Sequence, residues 1–167
     1  MLLTEETILY SPSGESAPAG RLTPSQDRAA AALIEALPSG NVFVLRVNAG
    51  LGRTAILRHV HMFVGGAFRG AREFIDALMV RRPDAIEQAF VEMIEEALAN
   101  HETVIFDDLH LLTGGTYDFK YTRRLLDAAL EAILTAAVAC GRKIVFGTDQ
   151  SIPPAPVRSR ATSIKLL

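Results

Sequence analysis

Apolar and polar positions along this chain follow two rhythms. Residues 42–47 (VFVLRV) form a short apolar run rich in Val and Phe, with Arg46 its one charged member. That pattern predicts a buried strand. Residues 84–99 bring Ile86, Phe90, Met93, Ile94, Ala97 and Leu98 onto one face, the stripe of an amphipathic helix. Residues 123–139 repeat the helical spacing through Leu126, Leu130, Ile133, Leu134 and Ala137.

Punctuating residues divide the rest. Thr23-Pro24-Ser25-Gln26 reads as a helix start, with Thr23 as cap, Pro24 in the first turn and Gln26 closing a capping box. That helix should run to about Leu37, where Pro38-Ser39-Gly40 stops it. Residues 48–54 (NAGLGRT) break the first strand, a helix follows over 55–64, and Gly65-Gly66 ends it. Further strands are predicted over 74–80, 103–107, 143–148 and 163–167, with a polar loop over 113–121 and a proline break at Pro153, Pro154 and Pro156. Strands therefore alternate with helices long enough to cross over a sheet. This predicts an α/β fold, a five-stranded parallel sheet sandwiched between helices in three layers. Residues 11–21 (SPSGESAPAGR) are small, polar and rich in Gly and Pro, so 1–21 reads as an extension and linker before a core of 22–167.

Composition narrows the function classes. A length of 167 residues suits one domain, and 49% hydrophobic with 22% charged residues excludes general disorder. A net charge of −2 gives no bulk electrostatic case for nucleic acid or an anionic membrane. The lone cysteine, Cys140, excludes an internal disulfide and a Cys-based zinc site. With no leader-like run in residues 1–10 and no apolar stretch near the ~20 residues of a membrane span, a cytoplasmic home is expected.

The chemistry concentrates in three segments. A phosphate needs several backbone N–H groups aimed at one point, and a glycine loop leading into a helix N-terminus supplies them. Asn48, Ala49, Gly50, Leu51, Gly52, Arg53 and Thr54 form such a loop, and the Thr54 hydroxyl could reach Mg²⁺. Against the pattern G-x-x-x-x-G-K-[ST], Val47 stands at the first Gly and Arg53 at the Lys. The second segment is TVIFDD, an apolar strand ending in two acids. Ligands of parallel sheets sit at the carboxyl ends of strands. Asp107 would face a phosphate-bound Mg²⁺, directly or through water, and Asp108 would orient or deprotonate an attacking water. In the third segment, residues 143–160, a strand ends in Thr148 and Asp149, either of which could reach toward a terminal phosphate, and Arg160, with Arg158, could supply positive charge to a phosphoryl group.

In this order the segments resemble the nucleotide-binding core of AAA+ ATPases. NAGLGRT resembles the Walker A loop and VIFDD the Walker B strand; FDDLHLL and AGLGRTAIL also resemble the related STAND-type ATPases. GTDQSIPPAPVRSRA resembles the clamp-loader stretch from the sensor 1 threonine to the arginine finger. The resemblance implies a sheet order of 5-1-4-3-2, Mg-ATP or Mg-ADP as ligand, Thr148 as sensor 1, and Arg160 acting on a neighbouring subunit. It also implies ATP hydrolysis coupled to remodelling in a ring or filament of this or related subunits, with a protein as one possible substrate. Arg53 for Lys, Asp108 for Glu and Val47 for Gly support an alternative, a non-hydrolysing nucleotide sensor or scaffold subunit. The family's small helical lid has no counterpart after the fifth strand, so the chain is either a fragment or a lidless protein. Residues 78–83 lack the aromatic and Gly of a polypeptide-threading pore loop.

Other polar residues carry plainer assignments. His59 and His61 lie two apart on one helix and face different sides, which does not make a metal pair. His110 follows the acids closely enough to neighbour the site, although a loop histidine is the plainer assignment. Cys140 is expected to be a small buried residue at a helix end. Arg69, Arg72, Arg81 and Arg82 make a local basic cluster, read as a solvated face.

Overall fold

The computed structural model describes residues 6–11, 20–81, 86–113, 120–149 and 151–167. Six strands, β1 (Glu6–Leu9), β2 (Val42–Val47), β3 (Ala67–Arg69), β4 (Thr103–Phe106), β5 (Lys143–Thr148) and β6 (Thr162–Leu166), form one parallel sheet in the order β1-β6-β2-β5-β4-β3. The helices are α1 (Pro24–Ala36), α2 (Arg53–Val64), α3 (Ala71–Arg81), α4 (Ile86–Asn100), α5 (His110–Thr113), α6 (Lys120–Ala139) and α7 (Ala155–Arg158).

The two-residue period of β2 sets the layers. Val42 and Val44 face a core completed by α4 and α6, through residues such as Phe90, Ile94, Leu130 and Leu134. Phe43, Leu45 and Val47 face the opposite core, built from α1 and α2 with Leu33, Ile56, Leu57 and Val60. Both faces of the sheet are covered, as a parallel sheet requires. The expected α/β class and layering hold.

Three expectations are corrected. Residues 74–80 belong to α3 and not to a strand: Phe74 is buried and Leu78 half-buried at helical spacing, while Ile75, Met79 and Val80 are exposed. The helix is started by Glu73, whose Oε2 accepts the Gly70 N–H at 2.9 Å. The strand lies just upstream, over Ala67–Arg69. Gly66 makes it possible, since with φ +90° a Cβ there would stand 2.1 Å from the Thr103 carbonyl oxygen of β4. The sheet also has six strands instead of five. Glu6–Leu9 pairs along β6 with Glu6 opposite Ser163, adding a strand outside the expected 5-1-4-3-2 order. Cys140 is exposed, not buried, because it follows α6 in the turn toward Gly141. The polar loop over 113–121 and Arg82 fall largely outside the described residues.

The start of α1 follows the capping box. Gln26 N–H donates to Thr23 Oγ1 at 3.3 Å, and Gln26 Oε1 accepts the Thr23 N–H at 2.9 Å. No described helix is long and apolar enough to cross a membrane.

Candidate phosphate-binding site

β2 runs into the loop 48–54 at the centre of the sheet. The Asn48 N–H is tied to the Leu166 carbonyl at 3.1 Å, and the Leu51 N–H closes a turn onto the Asn48 carbonyl at 3.1 Å. Ala49 and Gly50 are exposed. Gly50 (φ +85°) and Gly52 (φ +75°) are left-handed, whereas neither Leu51 nor Arg53 has positive φ. Such alternation turns successive N–H groups toward one concavity, a nest for anions. α2 begins at Arg53, and its first helical bond runs from the Ile56 N–H to the Gly52 carbonyl. The N–H groups ahead of it, including those of Arg53 and Thr54, have no intrahelical acceptor and add the positive end of the helix.

α1 holds this loop from behind. Gln26 Nε2 donates to the Leu51 carbonyl at 2.9 Å. A Cβ on Gly52 would stand 2.4 Å from that nitrogen, so glycine serves both backbone sign and space. The sequence marked Gln26 as a capping residue, but nothing local marked its second bond, which spans 25 positions.

The acids of β4 meet the loop. Asp107 is 1% exposed, Thr54 Oγ1 donates to its Oδ2 at 2.6 Å, and the Asp108 N–H donates to its Oδ1 at 2.9 Å. Arg53 bridges both acids: Nε donates to Asp107 Oδ1 and Nη2 to Asp108 Oδ1. Its Nη1 lies 3.4 Å from His110 Nδ1, which brings that histidine into the site. Asp108 has φ +67° and its Oδ2 accepts the Ala71 N–H of α3 at 3.3 Å. Room for the arginine stem comes from Gly147 on β5, where a Cβ would stand 3.3 Å from Arg53 Cδ and 2.5 Å from Asp107 Oδ1.

Thr148 is buried, with Oγ1 3.3 Å from Ser151 Oγ. A side-chain hydrogen bond from Ser151 holds the Asp149 carboxyl below its ordinary range. Burial opposes this, while the Ser151 N–H (2.8 Å) and the charges of His110 and Arg53 support it. Arg160 is elsewhere engaged, with Nη2 donating to Glu131 Oε1 and Nη1 to Thr135 Oγ1 at 3.2 Å, both on α6. The site therefore gathers loop 48–54, Asp107, Asp108 and His110 with Asp149 nearby, but Arg160 is bonded to α6.

The alternating φ signs over Gly50–Arg53 are those of a backbone nest for anions. The acids as they stand already hold a cation, because the Arg53 guanidinium bridges one oxygen of each.

No protein-family model matches this chain, and no curated protein matches it. Among solved structures it is similar to AMPPCP-bound DnaA from Aquifex aeolicus, at 15% identity and a TM-score of 0.49, over 77% of this chain and 40% of that one. It is also similar to Pif1 helicase from Candida albicans, at 13% identity and a TM-score of 0.46, over 83% of this chain and 38% of that one. The chain thus spans about two fifths of the length of either structure.

Proposed function

We propose that this chain binds the phosphates of a nucleoside triphosphate, ATP or its product ADP, at loop 48–54. The observation that supports it best is the alternating backbone of Gly50 to Arg53 at the N-terminus of α2. It sits at the carboxyl end of a central parallel strand, where ligands of such sheets bind. The Asp107–Asp108 pair, brought against the loop from the end of β4, adds to the reading.

Within this reading, the AAA+ resemblance points to hydrolysis coupled to remodelling in an oligomer, with Arg160 serving a neighbour's site. One observation favours the second reading, a nucleotide sensor or scaffold with little turnover. Asp108, the residue for orienting water, has one oxygen on Arg53 and the other on the Ala71 N–H.

Calorimetry with Mg-ATP and Mg-ADP tests the binding, with Gly52→Ala as the loop control. An alanine at φ +75° is strained by roughly 1–2 kcal/mol and displaces Gln26, so it should abolish binding while the fold survives. Heat unchanged in Gly52→Ala, or none in the parent chain, refutes this site. Turnover of Arg53→Lys/Asp108→Glu separates the two readings: a gain supports hydrolysis, and no gain supports the sensor.

A further inference from the structure

We propose that Arg53 is the resident counter-cation of this site, standing where a divalent metal ion would stand, so that phosphates bind here without one. This rests on the phosphate-binding reading above.

The hydrogen bonds around the acids carry the argument. Asp107 Oδ1 accepts Arg53 Nε and the Asp108 N–H, and Asp107 Oδ2 accepts the Thr54 hydroxyl. Asp108 Oδ1 accepts Arg53 Nη2, and Asp108 Oδ2 accepts the Ala71 N–H. Thr54, the hydroxyl placed to ligate a metal at the end of such a loop, thus points its proton at Asp107. The Thr54 oxygen keeps its lone pairs, but a divalent ion between the acids would have to remove a guanidinium from both of them.

Arginine is suited to this position as lysine is not. Its planar fork offers five N–H donors in fixed directions and stays charged at any physiological pH. One fork can therefore serve two carboxylates at once, while an ammonium is a point charge on a flexible stem. The guanidinium is also tethered, so it occupies the acids without the translational loss that a free ion suffers.

Gly147 leaves room beside the arginine and the acid that it bridges. It is not left-handed, so backbone conformation does not demand glycine there. The space does, because a Cβ would run into Asp107 Oδ1 and Leu57 Cδ1 at 2.5 Å and crowd Arg53 Cδ at 3.3 Å.

One negative charge remains on Arg53, Asp107 and Asp108 together. The phosphates are then held by backbone N–H groups and the end of α2, in the manner of a metal-free anion nest.

Two measurements test this on the full chain. The first is the ATP dissociation constant by calorimetry in Mg²⁺ and in EDTA. Values within about threefold of each other are expected, and binding at least about tenfold weaker in EDTA overturns the proposal while leaving nucleotide binding intact. No heat in either condition overturns the phosphate-binding reading, and this proposal with it. The second is Mn²⁺ binding, without nucleotide, to the parent chain and to Arg53→Gln. Binding at least about tenfold tighter in Arg53→Gln is expected, and equal binding in the two chains overturns the proposal. Should Arg53→Gln fail to fold, the comparison of Mg²⁺ with EDTA on the parent chain decides alone.

Discussion

Gly147 of β5 lies against Arg53 of α2: a Cβ at 147 would stand 3.3 Å from the arginine Cδ, and 2.5 Å from Asp107 Oδ1 and Leu57 Cδ1. Gly147 and Arg53 are 94 positions apart in the chain and belong to different layers of the fold. Gly147→Ala should therefore act as overpacking at a buried strand end. A cost of about 1–3 kcal/mol is expected, since Asp107, Leu57 and Arg53 must all give way. In urea denaturation the midpoint should fall with the slope unchanged. An unchanged midpoint would mean that Asp107, Leu57 and Arg53 make room without cost.

A second expectation concerns Gln26, which has two jobs. It completes the cap of α1 and it holds the Leu51 carbonyl of the phosphate loop. Thr23→Ala removes the cap acceptor alone, while Gln26→Ala removes the reciprocal cap bond and the loop bond. Each should lower stability by about 1 kcal/mol. Only Gln26→Ala should weaken nucleotide binding, by about fivefold if the loop bond contributes a typical ~1 kcal/mol. Equal affinity in the two variants would remove Gln26 from the site.

The legible parts of this molecule are those written in local pattern. β2 and β4 are continuous apolar runs buried on both faces, and the stripes of α4 and α6 sit on the sheet as their spacing requires. The strand after α2 misleads because it is only three residues long and sits behind a glycine pair. The apolar residues 74–80 downstream look more like a strand than it does, yet the Gly70–Glu73 cap starts a helix there and Phe74 and Leu78 pack at helical spacing. β1 is hidden for another reason. Glu6, Thr7 and Ile8 are exposed, and the pairing that orders them lies at the far end of the chain. In the site, the glycine alternation and the acid pair are sequence patterns. The arginine bridge is not, because its two partners lie 54 and 55 positions along the chain. Arg160 shows the converse: its motif context suggests chemistry, while its partners in the chain are Glu131 and Thr135 of α6.

The last expectation is the response to acid. Burial tends to raise the Glu73 carboxyl, but the N–H groups of Glu73 and Gly70, with Arg58 and Arg69, outweigh it and hold the group below its ordinary range. Asp149 is likewise held low, chiefly by the Ser151 side chain. A carboxyl that is more acidic in the folded chain than in the unfolded one binds fewer protons when folded. Its stabilisation is complete above the ordinary carboxylate range, near pH 4, and is lost as pH falls through the lowered value. Glu73→Gln and Asp149→Asn remove the titrating groups. The parent chain should therefore exceed each variant most at neutral pH, and the gap should narrow as pH falls through and below the ordinary carboxylate range, near pH 4. The effect should be larger at Glu73, which also places its charge in the first turn of α3, where the helix dipole favours it. Urea midpoints measured from pH 7 to about pH 3 give the answer directly. A gap that stays constant across that range would assign these two residues a steric role instead of an electrostatic one.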